Sequence, residues 1–183
     1  MLTAGRIRQL LEALNQELAG DGVRGELFLA GGAVMCLMFH AREATKDIDA
    51  MLVPASELRR AAQRVGEREG LPPGWLNDAV KGFFSQAGRF EVYEEMSHLR
   101  IFAPHPEYLL AMKCLAMRLG EEFQDRHDVD LLLKMLGVRH VQDVEAVLAR
   151  YYPLERYPAK ARYVLEELLP GDIAGDCKPP DPR

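Results

Sequence analysis

Ile7, Leu10, Leu11, Leu14 and Leu18 recur at helical spacing and Gly20-Asp21-Gly22 closes the stretch, which predicts an amphipathic helix over residues 3 to 19 covering one face of a sheet. A short apolar run, Glu26 to Ala30, stops at Gly31-Gly32. Ala33 to His40 follows, apolar enough for a buried helix, so the order is strand, glycine turn, helix. From Asp47 to Val53 carboxylates alternate with apolar residues as far as Pro54. Period-two alternation predicts a strand whose Ile48, Ala50 and Leu52 face the core, leaving Asp47 and Asp49 together on the other face. Ser56 reads as the N-cap of a helix running to about Glu69, broken by Gly70-Leu71-Pro72-Pro73-Gly74.

An irregular stretch containing Trp75 leads into Ala79 to Phe84. Phe90 to Tyr93 and Leu99 to Ala103 then read as two strands joined around Glu94 to Ser97. From Pro106 onward the pattern is helical: Pro106 to Leu119, Asp125 to Leu136 closed by Gly137, Val141 to Tyr151, and Pro158 to Leu169. The expected organisation is an α/β core over residues 1–104, a helical subdomain over 105–170 and a proline-rich, disordered tail over 171–183.

Composition narrows the class. Of 183 residues, 48% are hydrophobic and 28% charged, which sets aside wholesale disorder, collagen-like repeats and coiled-coil rods. No apolar run approaches the roughly twenty residues of a bilayer helix, and Met1 to Arg6 lacks a secretory pattern, so a cytoplasmic protein without a membrane partner is expected. Cys36, Cys114 and Cys177 are widely spaced, which argues for reduced thiols and against a disulfide framework or zinc cluster. The five histidines have no metal-ligand spacing, and no G-x-S-x-G is present. With a formal net charge of −5, a nucleic-acid partner has to be met by a local basic patch.

The chemistry concentrates in Gly31-Gly32-Ala33 and in Arg42-Glu43-Ala44-Thr45-Lys46-Asp47-Ile48-Asp49. Two glycines between strand and helix let the backbone approach a polyphosphate closely. Two carboxylates at i and i+2 of a strand lie ~7 Å apart on one face, close enough to converge on a divalent cation, with Mg²⁺ the expected ion and Mn²⁺ the substitute. Such an ion neutralises charge at a transferred phosphorus. Arg42 either pairs with a surface acid or stands beside a triphosphate, and Lys113, set among Leu109, Leu110, Met112 and Leu115, either snorkels out or points into a polar cleft. Asp125 reads first as an N-cap and Asp128 as the third residue of the same helix. Trp75 reads as the packing anchor of a loop.

Gly-Gly, an interval and Asp-x-Asp on a strand resemble the signature of the DNA polymerase β-like nucleotidyltransferase superfamily. The wider spelling, with Arg42-x-x-Thr45-Lys46-Asp47-Ile48-Asp49, is similar to the branch that includes abortive-infection nucleotidyltransferase toxins. Tyr108 to Arg118, followed by Asp125 to Leu131, is similar to a later segment of that branch, so the likeness spans roughly residues 25–136. It implies a small mixed β-sheet flanked by helices, with the C-terminal helical part completing the cleft. The implied activity is transfer of a nucleoside monophosphate from an NTP to a hydroxyl on RNA, protein or a small molecule, and the implied partner is a cognate antitoxin or toxin protein. By matching motif, Gly31, Gly32 and Lys113 bind phosphate, Asp47 and Asp49 hold Mg²⁺, and Asp128 assists as base or supporting acid, with Arg42 a further nucleotide-binding candidate. In one respect the chain departs: the strand His98-Leu99-Arg100-Ile101-Phe102 has no third carboxylate, for which Asp78, Glu91 and Glu94 are the substitutes. That departure supports the alternative of a catalytically silent fold serving as a nucleotide-binding or protein-interaction module.

Overall fold

A computed structural model describes residues 1–120 and 124–169. The tail assigned to residues 171–183, and Cys177 with it, lies outside the described residues. Leu2–Thr3 forms a first short strand (β1), and the Thr3 side chain then caps the helix Ala4–Gly20 (α1) by accepting from Arg6 N–H. The predicted stripe is the buried one: Ile7, Leu10, Leu11, Leu14 and Leu18 are fully shielded, each contributing about 1.5–3 kcal/mol of hydrophobic burial. Gly25–Ala30 (β2), Gly31–Leu37 (α2), Ala44–Thr45 (β3) and Ile48–Val53 (β4) follow, then Ala55–Glu69 (α3) and Leu76–Asn77 (β5). A 3₁₀ turn, Ala79–Phe83, precedes the hairpin of Phe90–Glu95 (β6) and Leu99–Pro104 (β7). The helices Pro106–Leu115 (α4), Asp125–Leu136 (α5), Val141–Ala149 (α6) and Ala159–Leu168 (α7) complete the described chain.

The fold is mixed α/β. Five strands pair in the order β5-β4-β2-β7-β6, with β2 antiparallel to β4 and parallel to β7, β4 parallel to β5, and β6 antiparallel to β7. Register sets Leu27 beside Leu52 and Ile101, and Leu29 beside Ala50, so the alternating apolar residues of three strands form one buried face under α1 and α3. Residues of opposite phase, Phe28, Ala30, Asp49, Met51 and Phe102 among them, occupy the other face. There Phe28 stacks on Phe102 at 4.5 Å.

The boundary drawn at 104/105 coincides with the junction of β7 and α4, and the apolar cluster continues across it to Leu165 of α7. Tyr108 is fully buried at this junction and takes an edge contact from Phe90. The Ser85 N–H donates to its hydroxyl at 2.8 Å, while the Ser85 hydroxyl donates to the Tyr151 carbonyl at 2.6 Å. Tyr152 in turn donates to the carbonyl of Phe83, fastening the 3₁₀ turn to the helical half.

Several boundaries differ from the reading of the sequence. Pro54, not Ser56, precedes α3, and the Ser56 hydroxyl turns to Glu57. Asp125 is the first residue of α5 and not its cap, which is Gln124; its carboxylate is drawn instead to cations on the preceding segment. The buried helix after Gly31-Gly32 ends at Leu37, α4 ends at Leu115 and α6 at Ala149, because periodicity persists after backbone hydrogen bonding stops. The ribbon of β1 and β3, pairing Leu2 with Thr45 and Thr3 with Ala44, was not foreseen, since two-residue strands carry no period. This ribbon pins the segment leading into β4.

Candidate functional site

β4 presents Asp49 on the face opposite Ile48, Ala50 and Leu52, all three buried, and Asp47 immediately precedes the strand on the same side. Antiparallel pairing places Asp49 beside Ala30, the last residue of β2, so the chain enters α2 alongside the carboxylate. Gly31 is there for that reason: its φ is +63°, and a β-carbon would stand 2.5 Å from Asp49 Oδ2. A side chain at Gly32 would collide with the Thr45 hydroxyl. The two glycines are thus required by close packing against β3 and β4.

On the other side of Asp49, β5 sets Asn77 directly opposite in parallel register. The Asn77 amide donates to Asp49 Oδ1 at 2.9 Å and to Asp47 Oδ2 at 3.4 Å. Burial and then the neighbouring charge of Asp49 push the Asp47 carboxyl above its ordinary range.

A second acidic pair lies on α5. Asp128 is fully buried, and its two oxygens take both arms of the Arg42 guanidinium, Nε reaching Oδ1 at 2.8 Å. Lys113 of α4, 7% exposed, lies 2.6 Å from Asp128 Oδ2 and 3.3 Å from Asp125 Oδ1. Asp125 also accepts from the backbone N–H and the Nε of Arg118, both at 3.1 Å. Burial pushes the Asp125 carboxyl up, yet Lys113 and Arg118 together outweigh it and hold the group below its ordinary range. The result is a chain of alternating charge, Arg42, Asp128, Lys113, Asp125, Arg118, stitching the segment after α2 to α4 and α5.

Two cavities meet at this place. One, of about 420 Å³, is polar and is bounded by Gly31, Gly32, Arg42, Lys46, Asp47, Asp49, Lys113 and Arg118. The other, of about 560 Å³, has apolar walls from Val80, Phe83, Leu109, Met112 and Met117, and the cations Arg156 and Lys160 also line it. Gly31, Asp49, Lys113 and Arg118 line both. The structure brings Gly31, Gly32, Arg42, Asp47, Asp49 and Lys113 together around the polar cavity, with Asp128 behind Arg42 and Lys113.

The substitute carboxylates lie elsewhere. Asp78 faces away toward Arg59 and Lys81. Glu91 and Glu94 are on β6, three strands from β4, or ~14 Å at ordinary strand spacing. No group of three or more His, Cys, Asp or Glu placed to hold a metal exists among the described residues. Asn77, Arg118 and the apolar walls were missed by sequence reasoning; Leu76-Asn77 is too short to show a strand pattern, though its place just after the loop anchor Trp75 was the available signal. Trp75 itself is buried and donates to the Ala62 carbonyl at 3.0 Å, as a packing anchor does. Cys36 and Cys114 are free and buried, the Cys114 thiol pushed up by burial to about 12. No helix among the described residues is long and apolar enough to cross a membrane. The chain matches no protein-family model, no curated protein and no solved structure.

Proposed function

We propose that the chain is a divalent-cation-dependent nucleotidyltransferase of the DNA polymerase β-like kind, moving a nucleoside monophosphate from an NTP to an acceptor hydroxyl. The observation that carries this reading is the meeting of a polar and an apolar cavity at Asp49. An NTP has two matching halves, a charged triphosphate and an uncharged nucleoside whose aromatic base has apolar faces, with the reacting α-phosphorus between them. The combined space falls within the range of small-molecule sites.

Two carboxylates, oriented by the Asn77 amide that donates to both, offer hard oxygen donors suited to Mg²⁺ or Mn²⁺, which retains several waters when held by few protein ligands. Asp47 and Asp49 are the residues to hold it. Such an ion supplies neutralisation of charge on the phosphates. Gly31 and Gly32, lacking side chains, leave the wall of the polar cavity open to phosphate oxygens, and the cations Lys113 and Arg118 line the same cavity. Both oxygens of Asp128 are engaged by Arg42 and Lys113, so its role in this reading is to fix those two side chains in place. In the transfer, the acceptor oxygen bonds to the α-phosphorus, the bond to the bridging oxygen breaks, pyrophosphate leaves and the hydroxyl proton passes to water. RNA, a protein hydroxyl and a small molecule remain the acceptor classes, and a toxin–antitoxin pair is the proposed setting.

A second reading, a silent fold that binds nucleotide or protein, is favoured by one observation: an amide, Asn77, occupies the position beside Asp49. Incubating the protein with each α-³²P-labelled NTP, Mg²⁺ and cell extract separates the two. The transferase moves label to RNA, protein or a small molecule, and Asp49→Ala reduces this by at least ~100-fold, since several kcal/mol of charge stabilisation are lost. Absence of transfer with every nucleotide, or equal transfer by the variant, overturns the enzymatic reading.

A further inference from the structure

Asp47 and Asp49 share one side-chain hydrogen-bond partner among the described residues, and it is uncharged. The Asn77 nitrogen lies 2.9 Å from Asp49 Oδ1 and 3.4 Å from Asp47 Oδ2. Its oxygen is already committed, accepting the Ala79 N–H at 3.2 Å at the start of the 3₁₀ turn. With that edge engaged, the amide presents its donor edge to both carboxylates at once. The second oxygen of Asp49, Oδ2, accepts no hydrogen bond among the described residues and lies beside Gly31 at the wall of the polar cavity.

We propose that Asn77 is a positioning residue for a one-cation centre: its amide hydrogens hold Asp47 and Asp49 in a converging arrangement, and its neutrality leaves the centre matched to a single divalent ion. The inference rests on the reading of Asp47 and Asp49 as cation ligands. Two carboxylates carry two negative charges, the complement of one divalent ion. A second ion needs a further anionic side chain, and among the described residues no third acid joins Asp47 and Asp49 in a group placed to hold a metal, Asp78 pairing with Arg59 and Glu91 lying on β6. Hydrogen bonds to the ligands of a metal fix their orientation, and losing one typically costs about 10–100-fold in metal affinity. Asn77 does this from an adjacent strand, on backbone held by the ladder to β4.

The test is a titration of the metal-free, full-length protein with Mn²⁺ alone, counting bound ions by electron paramagnetic resonance and checking the fold by circular dichroism. Wild type saturates at one Mn²⁺ lost in Asp49→Ala, Asn77→Ala binds about 10–100-fold more weakly, and Asn77→Asp, which adds a third charge at the position, binds about tenfold more tightly. Two Mn²⁺ in wild type, an unchanged affinity in folded Asn77→Ala, or no gain in Asn77→Asp overturns the role of Asn77 and leaves the transferase reading standing. Mn²⁺ binding that is identical in wild type and Asp49→Ala removes the cation reading and this inference with it. Where Asn77→Ala does not fold, the wild-type count and the Asn77→Asp affinity decide.

Discussion

Two aspartate pairs lie near the polar cavity, Asp47 and Asp49 on its lining and Asp125 and Asp128 behind the Lys113 and Arg118 side chains that line it, and their surroundings differ. Asp125 and Asp128 are each bound by two cationic side chains and shielded from water, whereas Asp47 and Asp49 have an amide between them and lie half-buried. Paired carboxylates inside a cluster of cations are satisfied by the fold itself. A carboxylate pair whose shared hydrogen-bond partner among the described residues is neutral, with Lys46 and Arg118 acting on Asp47 only through charge at a distance, carries repulsion that a bound cation would relieve. Under the proposed function Asp125 and Asp128 are architectural, and Asp47 and Asp49 bind the ligand.

The largest effect that separates them is on stability. Asp128→Ala strands Arg42 and Lys113 without their shared anion and costs about 3–5 kcal/mol, read as a lowered urea midpoint at constant slope. Asp49→Ala removes one of two repelling charges and shifts the same midpoint by less than about 1 kcal/mol. Equal losses in the two variants would erase the distinction between the pairs. Next in size, Gly31→Ala combines a left-handed backbone with a β-carbon 2.5 Å from Asp49 Oδ2, and it costs about 1–3 kcal/mol while displacing the carboxylate. Its sharper readout is loss of Mn²⁺ binding in protein that remains folded by circular dichroism.

The pH dependence of metal-free protein has opposite signs at the two pairs. Asp47, whose carboxyl is raised in the folded state by burial and by Asp49, binds its proton more tightly folded than unfolded. Its contribution is present below the ordinary aspartate value and is lost as pH rises through the raised value, so Asp47→Asn stabilises at neutral pH and the gain fades on acidification. Asp125 is depressed, because Lys113 and Arg118 outweigh burial. Its contribution is present above the ordinary value and is lost as pH falls through the lowered one, so Asp125→Asn destabilises at neutral pH and becomes neutral in acid. Denaturant midpoints of the two variants across the acid range check both signs. The smallest effect belongs to Asp78→Asn, which loosens a surface pairing to Arg59 and changes stability by about 0.5 kcal/mol or less. Under the arrangement described, label transfer and Mn²⁺ binding are unaffected by it, whereas a loss of either would restore Asp78 as a third ligand.

Much of this was legible in the chain. The stripe Ile7 to Leu18 announced α1, and the alternation Asp47 to Val53 announced β4 with both aspartates on its outer face, because a helix or strand repeats its environment at a fixed period. Gly31-Gly32 marked a tight strand-to-helix passage for the same local reason. Asn77 beside Asp49, Arg42 gripping Asp128 eighty-six residues away, and the inward turn of Lys113 were decided by tertiary structure alone. A two-residue strand has no period to detect. An ion pair between distant segments depends on how sheet and helices pack, and local patterning leaves that packing open until strand register and helix docking are set.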